Sequence, residues 1–194
     1  MAQRQLANPS DYARPVRAPS RFAASAGSGG VEGGDGEMVA AFGLEARQTI
    51  HWFTVALSAS FSSPDFLAAR PGSPNAIAAH LTAWDFGLEP GISFPLFPNL
   101  DLRAGPGVHL FFGEGSLGND SQSYSYSKVG LDAWCGLSLA VLPSHFGSRV
   151  LFSLLGRVYF ASSVDLPQLS RRIPVIDNSF VLMIGYELNV GGSR

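Results

Sequence analysis

The side chains able to do chemistry in this 194-residue chain are few. There are four histidines (His51, His80, His109 and His145), a single cysteine (Cys135), 15 acids and 13 bases. No two histidines are spaced i,i+2 or i,i+4, the short-range spacings of metal-ligand pairs. No His-Glu-x-x-His motif, phosphate loop or nucleophile elbow occurs. Gly27-Ser28-Gly29-Gly30 lacks the preceding strand and following helix that a dinucleotide loop needs. The expectation is therefore no catalytic residue, no metal site and no cofactor. Cys135 falls among apolar positions, where a thiol packs as a small hydrophobe.

The charges form the one constellation. Glu45, Arg47, Asp85, Glu89, Asp101, Arg103, Lys128, Asp132, Arg157 and Glu187 stand at positions that alternate with apolar residues. Six are acids and four are bases, and charges gathered on an enclosed face survive only when paired and hydrogen-bonded. Arginine suits that task because its planar fork can hold a carboxylate with two bonds.

The elements that must position these residues are strands. In 84–94, Trp84, Phe86, Leu88, Pro90, Ile92 and Phe94 alternate with Asp85, Gly87, Glu89, Gly91 and Ser93. Strict alternation over that length is a strand with one apolar face. The same period predicts seven strands, at about 37–46, 49–61, 77–94, 99–113, 126–142, 149–162 and 178–190. The first also fits a helical spacing, and its link at Arg47-Gln48 lacks turn residues. An eighth strand would come from the stretch before Gly36 or from a split of 77–94. Connections alternate between tight (95–98, 143–148) and long (62–76, 114–125, 163–177), as in up-and-down hairpins whose ends face different environments.

Which face is wet follows from the residue types. The less apolar face carries Gly, Ala and Ser with scattered charges, which suits a narrow enclosed space. The apolar face must then meet lipid, because a bilayer demands closed sheets with apolar-out, polar-in strands. The fold class expected is all-β: an antiparallel up-and-down transmembrane β-barrel of eight strands. A soluble barrel or sandwich binding module is the alternative.

Composition agrees with this reading. Charged residues are 14% of the chain and hydrophobic ones 46%, too apolar for disorder. The net charge of -2 provides no basic field for nucleic acid. No run reaches the roughly 18 apolar residues of a membrane helix. Residues 1–36 read differently, as a segment rich in Gly, Pro and Arg with linker composition. No apolar stretch follows Met1, so an export signal is expected to have been removed. The domains expected are a flexible segment at 1–36, the barrel at 37–190 and a tail at 191–194.

Trp84-Asp85-Phe86-Gly87-Leu88-Glu89-Pro90-Gly91 and the closing Phe180-Val181-Leu182-Met183-Ile184-Gly185-Tyr186-Glu187-Leu188 resemble the strands of small bacterial outer-membrane β-barrel proteins. The resemblance covers 37–190 and implies a place in the outer membrane. Its implied partners are outer-membrane lipid and lipopolysaccharide, with a protein partner available to the N-terminal segment or the long loops. Some barrels of this size act on lipid A through a histidine with serine or a carboxylate. Here His109, near Glu114 and Ser116, does not match their local motif, and no enzymatic activity is expected. The implied role is structural, anchoring or surface-interacting, with the ten charges plugging the lumen. The alternative is a narrow pore or a carrier of a small ligand, with the same charges lining it.

Overall fold

The computed structural model describes residues 20–32, 38–63, 65–69, 76–117, 123–143, 148–160, 163–165, 172–174, 176 and 178–190. These form β1 (Ser20–Glu32), β2 (Met38–Ile50), β3 (Phe53–Ser62), β4 (Asp65–Ala69), β5 (Ala76–Phe97), β6 (Leu100–Leu117), β7 (Ser123–Pro143), β8 (Ser148–Phe160), β9 (Ser163–Asp165), β10 (Arg172–Pro174) and β11 (Asn178–Val190). Eight strands close a barrel: β1, β2, β3, β5, β6, β7, β8 and β11. Each pairs antiparallel with its neighbour. The ring is closed by β3 against β5 and by β1 against β11. Strand β4 prolongs the β5 hairpin, and β9 with β10 makes a small separate hairpin.

A closed ring pairs its strands on both edges, which is what a lipid environment requires. The outside is correspondingly apolar. Leu137, Leu154 and Leu182 lie side by side on β7, β8 and β11. Each is at least 40% exposed. Cys135 is exposed on the same outer face.

The tight end of the barrel holds two-residue turns. His51-Trp52 joins β2 to β3, and Pro98-Asn99 joins β5 to β6. His51 takes a φ of 56°, a left-handed conformation that histidine tolerates better than most side chains. The Trp52 carbonyl accepts the Ser93 amide at 2.7 Å, which ties this turn to β5. The turn therefore lies at His51-Trp52. Arg47 and Gln48 are inside β2, which is why no turn residues occur there.

The larger correction concerns the N-terminal segment. Thirteen of the residues with linker composition are β1, the eighth barrel strand. The described part of the barrel thus starts at Ser20, and residues 1–19 lie outside the described residues. Glycine is used in β1 for closeness. A Cβ at Gly27 or Gly29 would run into the Leu182 or Phe180 carbonyl on β11. Close packing and flexible linkage share one composition, and only cross-strand geometry separates them. The segment 77–94 is not split; β5 continues to Phe97. β6 and β7 also outrun their alternating stretches, so part of the expected 114–125 loop is strand.

The interior is not only small and charged. Phe111, Trp134, Leu151, Leu155, Val181 and Met183 are buried inside the ring. They stand next to outward apolar residues, as in Val181-Leu182-Met183-Ile184, so the sequence shows an apolar run rather than an alternation. Leu81, Phe111, Tyr159 and Ile176 pack together toward the long-connection end.

Candidate functional site

The charged interior falls into two networks at different heights. Heights follow from the distance of each residue from the tight end of its strand. Near that end, Glu187 on β11 receives three guanidinium groups. Arg149 Nη2 lies 3.3 Å from its Oε1, Arg21 Nη1 3.3 Å from its Oε2 and Arg47 Nη2 3.8 Å from that same Oε2. Arg21 also donates to Asp101 at 2.8 Å. One step further in, Glu45 accepts from Arg47 at 3.1 Å and from Arg103 at 3.2 Å. Arg103 lies over the Trp134 ring at 5.9 Å. Trp134 in turn donates its indole N–H to the Pro106 carbonyl at 3.0 Å. The ring lies so close to β5 that a Cβ at Gly91 would meet it.

The second network lies further from the tight end, on β5, β6, β7 and β8. Arg157 Nε donates to Glu89 Oε1 at 2.6 Å, and Ser58 adds a bond to the same oxygen at 3.0 Å. His109 Nδ1 lies 2.6 Å from Asp85 Oδ1. Tyr159 donates its hydroxyl to Asp85 Oδ2 at 3.0 Å. The far side of the imidazole faces two more carboxylates. Nε2 is 3.3 Å from Asp132 Oδ2 and 3.6 Å from Glu89 Oε1. Gly87, Gly107 and Gly130 make room here. Cβ atoms at these positions would meet His109, Asp132 and Phe111 respectively.

Of the ten charges read from the sequence, eight are buried inside the barrel: Glu45, Arg47, Asp85, Glu89, Arg103, Asp132, Arg157 and Glu187. Asp101 is partly buried, and Lys128 is half-buried on the interior phase of β7. Two members fall outside the sequence pattern. Arg21 lies in the segment of linker composition, and Arg149 precedes the first residue of the alternating pattern of its strand. His109 has its partners on other strands, not at the nearby Glu114 and Ser116. The geometry also brings together Glu89, His109 and Asp132, whose ligand atoms lie within 4.8 Å of one another. Local spacing rules cannot find this set, because each residue comes from a different strand. His145 and Arg171 lie outside the described residues.

An eight-stranded meander with an ion-paired interior and an apolar exterior has the fold of small outer-membrane β-barrels. No protein-family model and no curated protein matches the chain. Solved structures do match its fold. A major outer membrane protein from Thermus thermophilus aligns with a TM-score of 0.56 at 15% identity, over 87% of this chain and 98% of that one. Ail, the attachment invasion locus protein of Yersinia pestis, was solved in complex with the heparin analogue sucrose octasulfate. It aligns at 0.51 and 17% identity, over 87% of this chain and 99% of Ail. Neisserial surface protein A aligns at 0.50 and 12% identity, over 89% and 97%.

Proposed function

We propose that this barrel is a non-conducting anchor that holds its long-connection end at the cell surface. The observation that carries the reading is the filled interior. Arg103, Phe111, Leu155, Glu89 and His109, from three strands, are each 1% exposed or less. Ion pairs cross the lumen from β1 to β6 and from β5 to β8, and apolar side chains fill the levels between. A water path would expose these side chains, and eight strands leave a bore just wide enough for side chains to fill. The same burial supports a non-catalytic reading, since nothing outside reaches the His109 imidazole.

Short turns face the periplasm and longer connections face outward in bacterial barrels of this type. The β2–β3 and β5–β6 turns then mark the periplasmic end. The barrel's partners on this reading are membrane lipid and lipopolysaccharide. The similar Ail was solved with a heparin analogue, which supports a polyanion as a further partner.

The test is conductance of the purified, folded barrel in planar bilayers. The anchor reading expects a silent membrane at every voltage. Discrete current steps that vanish in Arg103→Ala or Asp101→Ala would overturn it in favour of a narrow pore.

A further inference from the structure

The upper network contains an arrangement that its own protein partners do not complete. In the neutral ring, with the Nδ1 hydrogen donated to Asp85 at 2.6 Å, the Nε2 atom of His109 is an acceptor. It points at Asp132 and Glu89, whose carboxylate oxygens are also acceptors. Among the described residues, His109 Nε2, Glu89 Oε2 and both carboxylate oxygens of Asp132 are buried with no hydrogen-bond partner. His109 Nε2 and both Asp132 oxygens thus lack a donor, and Glu89, whose Oε1 is held by Arg157 and Ser58, keeps Oε2 without one; each of the three residues is at least 97% buried. Such an arrangement is costly unless something positive lies between them.

The charge balance points the same way. Asp85, Glu89 and Asp132 face one guanidinium here, that of Arg157 on Glu89. With a neutral imidazole, these three carboxylates and one guanidinium carry a net negative charge, which favours a cation among them. The other network shows no such deficit. There Arg21, Arg47, Arg103 and Arg149 outnumber Glu45, Asp101 and Glu187.

We propose that Glu89, His109 and Asp132 hold a divalent transition-metal ion of the zinc type inside the barrel. One imidazole and two carboxylates are the donors such ions take. Bond lengths of about 2.0–2.2 Å put tetrahedral ligand atoms about 3.3–3.6 Å apart. The Nε2 distances of 3.3 and 3.6 Å match that spacing. Asp85 completes the pattern, because a ligating histidine commonly gives its other ring hydrogen to a carboxylate, which fixes the tautomer. The ion would staple β5, β6 and β7. Phe111 stacks 6.0 Å from His109 and Tyr159 covers it edge-on at 5.2 Å. Entry is therefore expected during folding, and release is expected to be slow. This site stands whether or not the barrel conducts.

The test folds the full chain in detergent with Zn²⁺, removes loose metal by chelator dialysis and measures retained metal. About one ion per chain is expected. Zinc-edge X-ray absorption should show nitrogen and oxygen neighbours at about 2.0–2.2 Å. His109→Gln and Asp132→Asn should lose the ion while keeping the barrel's circular dichroism. Asp85→Asn should weaken retention about 10–100-fold. His51→Gln and His80→Gln should leave it in place. Should the ligand variants fail to fold, the metal content and absorption spectrum of the unaltered chain decide alone. A folded, metal-free barrel whose ¹⁵N spectrum shows both His109 nitrogens protonated would overturn the proposal, with a proton filling the gap.

Discussion

Ser20 pairs with Val190, so the first described residue of the barrel sits across the ladder from the last. Strand β1 is also hydrogen-bonded to β2 over its whole length. Closure therefore depends on a strand made mostly of Ala, Ser and Gly. Those small residues let β1 lie close to β11. Gly29→Val places side-chain atoms on the Phe180 carbonyl and the Val181 Cα. Backbone cannot swing aside as a side chain can. The expected loss is about 1–3 kcal/mol or more, read from urea unfolding of the folded barrel in lipid. Deleting 20–32 should abolish the compact, protease-resistant form altogether.

What the sequence reveals and what it hides follow from this geometry. A bilayer outside and a narrow lumen inside impose a binary pattern, so Trp84 to Phe94 announces its strand and its inner face. Asp85, Glu89, Arg103 and Glu187 are legible for the same reason. The β1 strand is not, because its side chains answer to close backbone packing rather than to the polarity of two faces. Phe111 and Leu155 are not, because inward apolar residues erase the alternation. The His109 grouping is invisible in sequence for another reason. Its members meet only when β5, β6 and β7 are in register, Gly87 opposite His109 and His109 opposite Gly130.

Glu187 is the hub of the lower network, with Arg21, Arg47 and Arg149 converging on a carboxylate that is only 2% exposed. Glu187→Gln keeps the volume and removes the charge. Arg47 would remain buried with Glu45 as its other carboxylate, and that carboxylate is already shared with Arg103. Removing one partner from a buried ion pair costs about 3–5 kcal/mol. The lower end of that range is expected here, since Arg149 is partly exposed. Equilibrium unfolding in lipid vesicles measures it.

Leu154 lies midway along β8 on the outer face, between Leu137 and Leu182. If that face lies in hydrocarbon, Leu154→Arg should cost about 2–4 kcal/mol, and the same change at an interface about 0–1 kcal/mol. Val190→Arg, at the tight end of β11, supplies the interface comparison. Folding free energies in bilayers give the depth profile. Equal, small costs at both positions would mean that water covers the leucine row.

Two glycines of the barrel wall separate packing from propensity. A Cβ at Gly87 would meet the His109 ring and the Ser58 hydroxyl, whereas a Cβ at Gly156 would have only ordinary contacts, at 3.9 and 4.0 Å. Alanine reduces the freedom of the unfolded chain, so where it fits it should stabilise by about 0.4–1 kcal/mol. Gly156→Ala should show that gain. Gly87→Ala must instead displace an imidazole held by Asp85 on one side and stacked on Phe111. A loss of about 1–3 kcal/mol is expected from the overpacking. The His109 ring resonances should move in Gly87→Ala and stay put in Gly156→Ala. A parallel gain in both variants would show that the imidazole is free to yield, and that Gly87 is there for the backbone alone.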